Sequence, residues 1–172
     1  PLWSRGLGDV YKRQALNYNY FTGKPFGTPE EPKNLRGMDH LATAIADIRK
    51  DKGESAVALL DNGDANQGSS LETVYKRDHA KSDVDPIATI YNYLNYDAGV
   101  VGNHEFNYGL DELQDYKGDL EFPLLGANVT DKKTGEPYLE PYTFVNKKTA
   151  DGHDVKILSL IHISEPTRPE RI

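Results

Sequence analysis

Two short stretches hold residues whose types and spacing could do chemistry together. The first, Asp61-Asn62-Gly63-Asp64-Ala65-Asn66-Gln67-Gly68, offers carboxylate and amide oxygens on a chain that its glycines let bend sharply. The second, Gly102-Asn103-His104-Glu105, sets an amide, an imidazole and a carboxylate side by side about 40 residues downstream. Oxygen ligands of this kind suit hard divalent ions, and imidazole extends the range to zinc, iron and manganese. A histidine beside a phosphate can also protonate a leaving oxygen, with a carboxylate fixing its tautomer. Either stretch alone is ordinary turn or helix-cap composition. Their joint occurrence, each after its own apolar run, is what points to a site.

The elements that must position these loops follow from the hydrophobic pattern. Residues 38–50 carry Leu41, Ala44, Ile45 and Ile48 at helical spacing, and Lys52-Gly53 stops them. Residues 56–60 form a short apolar run that predicts a strand buried on both faces of a parallel sheet. The charged stretch 71–82 predicts an exposed segment. Asp85-Pro86 is a helix start, with Ile87, Ile90, Tyr91 and Leu94 as its buried stripe. A strand over 98–101, a short helix over 110–116 and a strand over 122–125 follow, and residues 142–146 with 155–157 predict a hairpin. Helices alternating with short buried strands give an α/β fold with a mostly parallel sheet, flanking helices and a C-terminal hairpin. Ligands in such sheets bind at the carboxyl ends of strands, which is where Asp64 and residues 103–105 fall.

Composition narrows the classes of partner. The 172 residues carry a net charge of −7, which argues against a general basic face for nucleic acid or anionic lipid. No apolar run approaches the roughly 20 residues of a membrane helix. With no cysteine, any metal must sit on oxygen and imidazole.

The two ends carry a separate signal. Residues 4–14, SRGLGDVYKRQ, match a translation of the transposase adaptor used to build sequencing libraries, and residues 158–168, LSLIHISEPTR, match its reverse complement. Residues 1–14 and 158–172 are therefore expected to be adaptor-derived, with residues 15–157 an internal piece of a reading frame. Those 143 residues alone carry a net charge of −9.

The spacing of Gly63-Asp64 with Gly68, followed by Gly102 to Glu105, resembles the calcineurin-like metallophosphoesterases. The fuller match, LLDNGDANQGS, then YLNYDAGVVGNHEFNYGLDEL, then FPLLGANVTDKKTGEPYLEPY, is similar to their 5′-nucleotidase branch, above all to its 2′,3′-cyclic-nucleotide 2′-phosphodiesterase/3′-nucleotidases. The resemblance implies part of an N-terminal metallophosphoesterase α/β sandwich. It implies two divalent metal ions of the zinc, manganese, iron or cobalt class, with Asp64 bridging them and Asn103 binding the second. It places His104 beside the phosphate as the acid or charge stabiliser, with Glu105 holding its ring. The implied reaction is hydrolysis of nucleotide phosphoesters, 2′,3′-cyclic nucleotides and 3′-nucleotides, by a hydroxide that the two metals activate. A 5′-nucleotidase/UDP-sugar hydrolase or a thiohydrolase of the same branch is the neighbouring reading, and a non-catalytic surface domain the one of another class.

The resemblance also implies what the chain lacks. The family's D-x-H motif belongs upstream of residue 15, and its later histidines, ending in G-H-x-H, belong beyond residue 157. The C-terminal domain that binds the nucleobase is missing as well. Extracellular, cell-surface or periplasmic placement is implied for the parent. His40, His79 and His153 match none of the family motifs and are expected on the surface or in loops; Tyr108 is expected in the core, with packing near the site as the alternative; Asn128 belongs to the pattern without an assigned role.

Overall fold

The computed structural model describes residues 18–19, 22–29, 37–80 and 83–160. The expectations for residues 1–14 and 161–172 lie outside the described residues. A short antiparallel pair, β1 (Tyr18–Asn19) and β2 (Lys24–Pro25), comes first. Helix α1 (Met38–Lys52) leads through a 3₁₀ turn at Glu54–Ala56 to β3 (Leu60–Asp61). Helices α2 (Ser70–Asp78) and α3 (Pro86–Tyr93) precede β4 (Ala98–Val100). A 3₁₀ turn at His104–Phe106, helix α4 (Leu110–Asp119) and β5 (Leu124–Leu125) follow. The described chain ends in the hairpin β6 (Tyr142–Lys148) and β7 (Asp154–Leu160).

Strands β3, β4 and β5 form a parallel sheet in that order, so the expected α/β class holds. One face of the sheet packs on the helices through Ile87, Tyr91, Leu113, Tyr116 and Val101. Tyr91 stacks on Tyr96 at 4.3 Å between ring centroids, with Phe122 beside both. The other face, carrying Ala98, Val100 and Leu125, meets Val145 and Ile157 of the hairpin. Helix α3 starts as its sequence dictates: the Asp85 carboxylate accepts from the Ile87 and Ala88 amides at 2.7 and 3.1 Å, and Pro86 stands at the first position.

Three expectations need correction. Of the expected stripe only Ile45 is buried; Leu41, Ala44 and Ile48 are exposed, and Met38 and Ala42 join Ile45 on the core-facing side of α1. The same turn of the helix directs Arg49 to α3, where its guanidinium donates to the Leu94 and Asn95 carbonyls at 2.8 and 3.0 Å and completes that helix end. The 56–60 run is not a two-sided buried strand: β3 begins only at Leu60, which is 44% exposed, because within the described sheet β3 pairs on one side only.

The third correction is the charged stretch 71–82, much of which is helix α2, with Glu72 and Lys76 buried. Lys76 Nζ lies 2.7 Å from both Asp85 and Glu112, and 3.3 Å from Glu72. Burial alone would lower the Lys76 pKa, but the Asp85 charge and the bonds to Asp85 and Glu112 outweigh it and raise it. His79, expected on the surface or in a loop, follows the end of α2 half-buried, where it stacks on Tyr75 at 4.4 Å and reaches Glu112 at 3.3 Å. Burial and the Asp85 charge push the Glu72 carboxyl up to about 8, with Lys76 pulling the other way. A carboxyl raised in the folded state adds stability that is complete below its ordinary value and lost as pH rises through the folded one. The urea midpoint of the chain should therefore fall between about pH 5 and pH 9, and Glu72→Gln should flatten that fall; an unchanged slope would refute the burial of an ionisable Glu72.

In β7 the side-chain alternation reverses at its end. Val145 pairs with Ile157 on the face that packs on the sheet. Two residues on, Ser159 takes a buried position on that face, while Leu158 and Leu160 fall on the other at 53% and 52% exposed, beside Phe144 and Tyr142. A strand whose sequence matched its pleat would put the leucines inside.

Candidate metal centre

The site forms where the loops after β3 and β4 leave neighbouring parallel strands. Asp61, the last residue of β3, anchors the first loop: its carboxylate accepts from the Tyr91 hydroxyl at 2.9 Å and from the Gly63 amide at 3.0 Å. Gly63 then turns with φ 81°, and Asp64 follows with φ 59°, a left-handed conformation that aspartate tolerates better than most residues. A Cβ on Gly63 would stand 2.5 Å from the Gly102 nitrogen, and one on Gly102 would stand 2.2 Å from Asp64 Oδ1. Only paired glycines let the two loops approach this closely.

That approach brings the predicted residues together. Asp64 Oδ1 accepts from the His104 backbone amide at 3.2 Å, and Asn103 projects from the same turn, exposed. The half-buried Asp64 carboxylate and the exposed Asn103 amide are hard oxygen donors, so the set fits divalent ions in kind. In number it is short: among the described residues no group of three His, Cys, Asp or Glu could hold a metal.

Glu105 has a different task from holding the imidazole. It is 1% exposed, and its carboxylate accepts from the backbone amides of Asp64 (2.8 Å), Ala65, Asn66 (3.4 Å) and Gly102. Burial raises its carboxyl above the ordinary range, the amides of Asp64, Gly102 and Ala65 oppose that, and the Asp64 charge adds to it. The side chain is a clamp between the two loops. The ring of His104 instead meets Asn107, whose Nδ2 lies 2.7 Å from Nδ1 and also donates to Gln67 Oε1. Asn107 was not singled out from sequence; its spacing of three from His104 in a tight turn was the available signal.

The remaining candidates separate. His40 and His153 are exposed as expected. Tyr108 is 36% exposed and faces Lys76 and Gln67, so it is not a core residue. Asn128 is half-buried at the end of the β5 loop.

Known proteins are similar to this chain in sequence and fold. The fold agrees with the crystal structure of the calcineurin-like phosphoesterase YfkN from Bacillus subtilis, at a TM-score of 0.70 and 30% identity over 86% of this chain and 43% of that one. The chain belongs to the calcineurin-like phosphoesterases. Its curated relatives include the 2′,3′-cyclic-nucleotide 2′-phosphodiesterase/3′-nucleotidase of Yersinia enterocolitica, 38% identical over 83% of this chain and 21% of that protein. The protein of the same name from Haemophilus influenzae is 33% identical over 74% of this chain and 20% of its own length. The chain thus spans about a fifth of the length of these relatives. No protein-family model matches it.

Proposed function

We propose that residues 15–157 are part of the metallophosphoesterase domain of an enzyme that hydrolyses nucleotide phosphoesters, 2′,3′-cyclic nucleotides and 3′-nucleotides first among them. The observation that carries this is the docking of Asp64 against the His104 turn at the carboxyl ends of β3 and β4. The names of the relatives supply the substrate class.

In this reading Asp64 and Asn103 would hold divalent metal ions, together with the D-x-H and G-H-x-H donors that the resemblance implies for the whole protein. The metal pair, when bound, supplies the activated hydroxide and neutralises phosphoryl charge. His104 stands beside the phosphoryl group and donates a hydrogen bond or a proton to an oxygen there. Glu105 acts one step back, keeping Asp64 and His104 on adjoining loops. A nucleobase-binding domain of the same polypeptide completes the substrate site, and the relatives' greater length leaves room for one. Placement outside the cytoplasm is part of the same proposal; among the described residues no helix is long and apolar enough to cross a membrane.

The test is a substrate panel. The whole protein, given manganese or zinc, should release phosphate or open the ring on 3′- and 2′,3′-cyclic nucleotides, and chelation should stop it. The 172-residue chain alone should show no turnover. Turnover of 5′-nucleotides or UDP-sugars alone would move the assignment to that neighbouring activity, and robust turnover from the short chain would overturn the ligand scheme.

A further inference from the structure

Helix α2 is fastened to the fold by charge rather than by apolar packing. Its aliphatic side chains, Leu71 and Val74, are 38% and 51% exposed, whereas Glu72 is 1% exposed and the Lys76 side chain 2%. Lys76 Nζ donates to Asp85 Oδ2 and to Glu112 Oε1, each at 2.7 Å. The other Asp85 oxygen accepts from the Ile87 and Ala88 amides, and the other Glu112 oxygen lies 3.3 Å from His79 Nε2. Glu72 is left over. Lys76 is 3.3 Å from its Oε1, yet among the described residues neither of its buried oxygens accepts a hydrogen bond. An ionised carboxylate enclosed without a donor is costly, and here it would be the third negative group around one ammonium. A protonated Glu72 brings its own donor, and the Asp85 carboxylate is within its hydrogen-bonding reach.

We propose that Glu72 and Asp85 hold one proton between them, as a carboxylic acid–carboxylate pair joining α2 to α3, and that this pair is a pH latch on α2. Facing the pair are Tyr75, Lys76 and His79 from α2 and its C-terminal end, Glu112, Tyr116 and Asp119 from α4, and Tyr108 from the turn before α4. Burial and the Asp85 charge raise the Glu72 carboxyl to about 8, against the pull of Lys76. Lys76 is already engaged by Asp85 and Glu112, so loss of the proton sets two adjoining buried carboxylates against each other. With no buried aliphatic side chain to oppose that repulsion, α2 swings Glu72 into water. A carboxyl raised in the folded state holds its helix below that value and lets go as pH rises through it. The latch adjoins the site: Ser69, which accepts from the Glu72 amide at 3.0 Å and so caps α2, directly follows the loop that carries Asp64. Any effect on turnover rests on the proposed function; the latch does not.

The experiment uses the full 172-residue chain without metal, carrying ¹³C-glutamate. At neutral pH, far above the ordinary glutamate value of about 4.3, its infrared spectrum should contain a protonated glutamate carbonyl that Glu72→Gln removes. Amide hydrogen exchange, corrected for intrinsic rates, should find α2 protected at neutral pH and unprotected above about pH 8, while β4 stays protected throughout. Glu72→Gln, which keeps a donor for Asp85 and cannot titrate, should hold α2 on both sides of that pH. Asp85→Asn, which retains a helix cap but not the opposing charge, should move the step to lower pH. No glutamate carbonyl assignable to Glu72 at neutral pH, α2 protection that ignores pH, or release of α2 and β4 together would overturn the proposal. So would the same loss of protection in Glu72→Gln. Failure of the phosphoesterase reading would instead appear as absent turnover in the whole protein, with these signals as expected.

Discussion

Asp64→Asn in the whole protein is expected to remove most of the bound metal and nearly all phosphate release. The carboxylate is the one charged donor that the β3 loop presents at the site, and an amide in its place neither carries the charge nor bridges two cations as well. His104→Asn is expected to leave metal content intact and slow turnover by about 10²–10⁴-fold, the range for a positioned acid. Metal analysis beside initial rates on both variants separates the two roles. Unaltered rates for either would remove that residue from the reaction. The backbone bond from His104 to Asp64 survives any side-chain change at 104, so the metal result for His104→Asn is not confounded by loss of that contact.

Glu105→Ala should be the most damaging single change to the fold near the site. It deletes the acceptor for the amides of Asp64, Ala65 and Gly102 inside a region where the side chain is 1% exposed. Stranding buried donors costs about 1–3 kcal/mol each where water cannot follow, so a loss of about 3–5 kcal/mol is expected by urea unfolding. Glu105→Gln retains one carbonyl but turns an NH₂ toward other N–H groups, and should fall between the two. Because the clamp holds Asp64 in its left-handed conformation, activity in the whole protein should fall with stability for both variants. A stable, active Glu105→Ala would show that the loops are held together by other means.

Helix α3 was legible because its cap, its proline and its stripe lie within ten consecutive residues, and local chemistry suffices to start and face a helix. The strands around Ala98 and Leu124 were legible because continuous apolar runs have few other uses. Helix α2 was not legible, since Lys76 is burial-compatible only when Asp85 and Glu112, brought from two other helices, neutralise it. Hydropathy along one segment contains no information about such partners. The exposed face of α1 was misassigned for a related reason: periodicity locates an apolar stripe but not the element that will cover it.

The same division runs through the site. By itself the sequence determined which groups are present, Asp64, Asn103, His104 and Glu105, and that glycines beside them free the backbone for a turn, because residue type sets donor chemistry and conformational range. Only the tertiary structure decided what each group faces. Glu105 turned from the imidazole to the amides of Gly102 and the Asp64 loop, and the place beside Nδ1 went to Asn107, held by Gln67. Those assignments depend on two loops about 40 residues apart being pressed together by paired strands and paired glycines, and hydrogen-bond partnership is a property of that contact rather than of either loop alone.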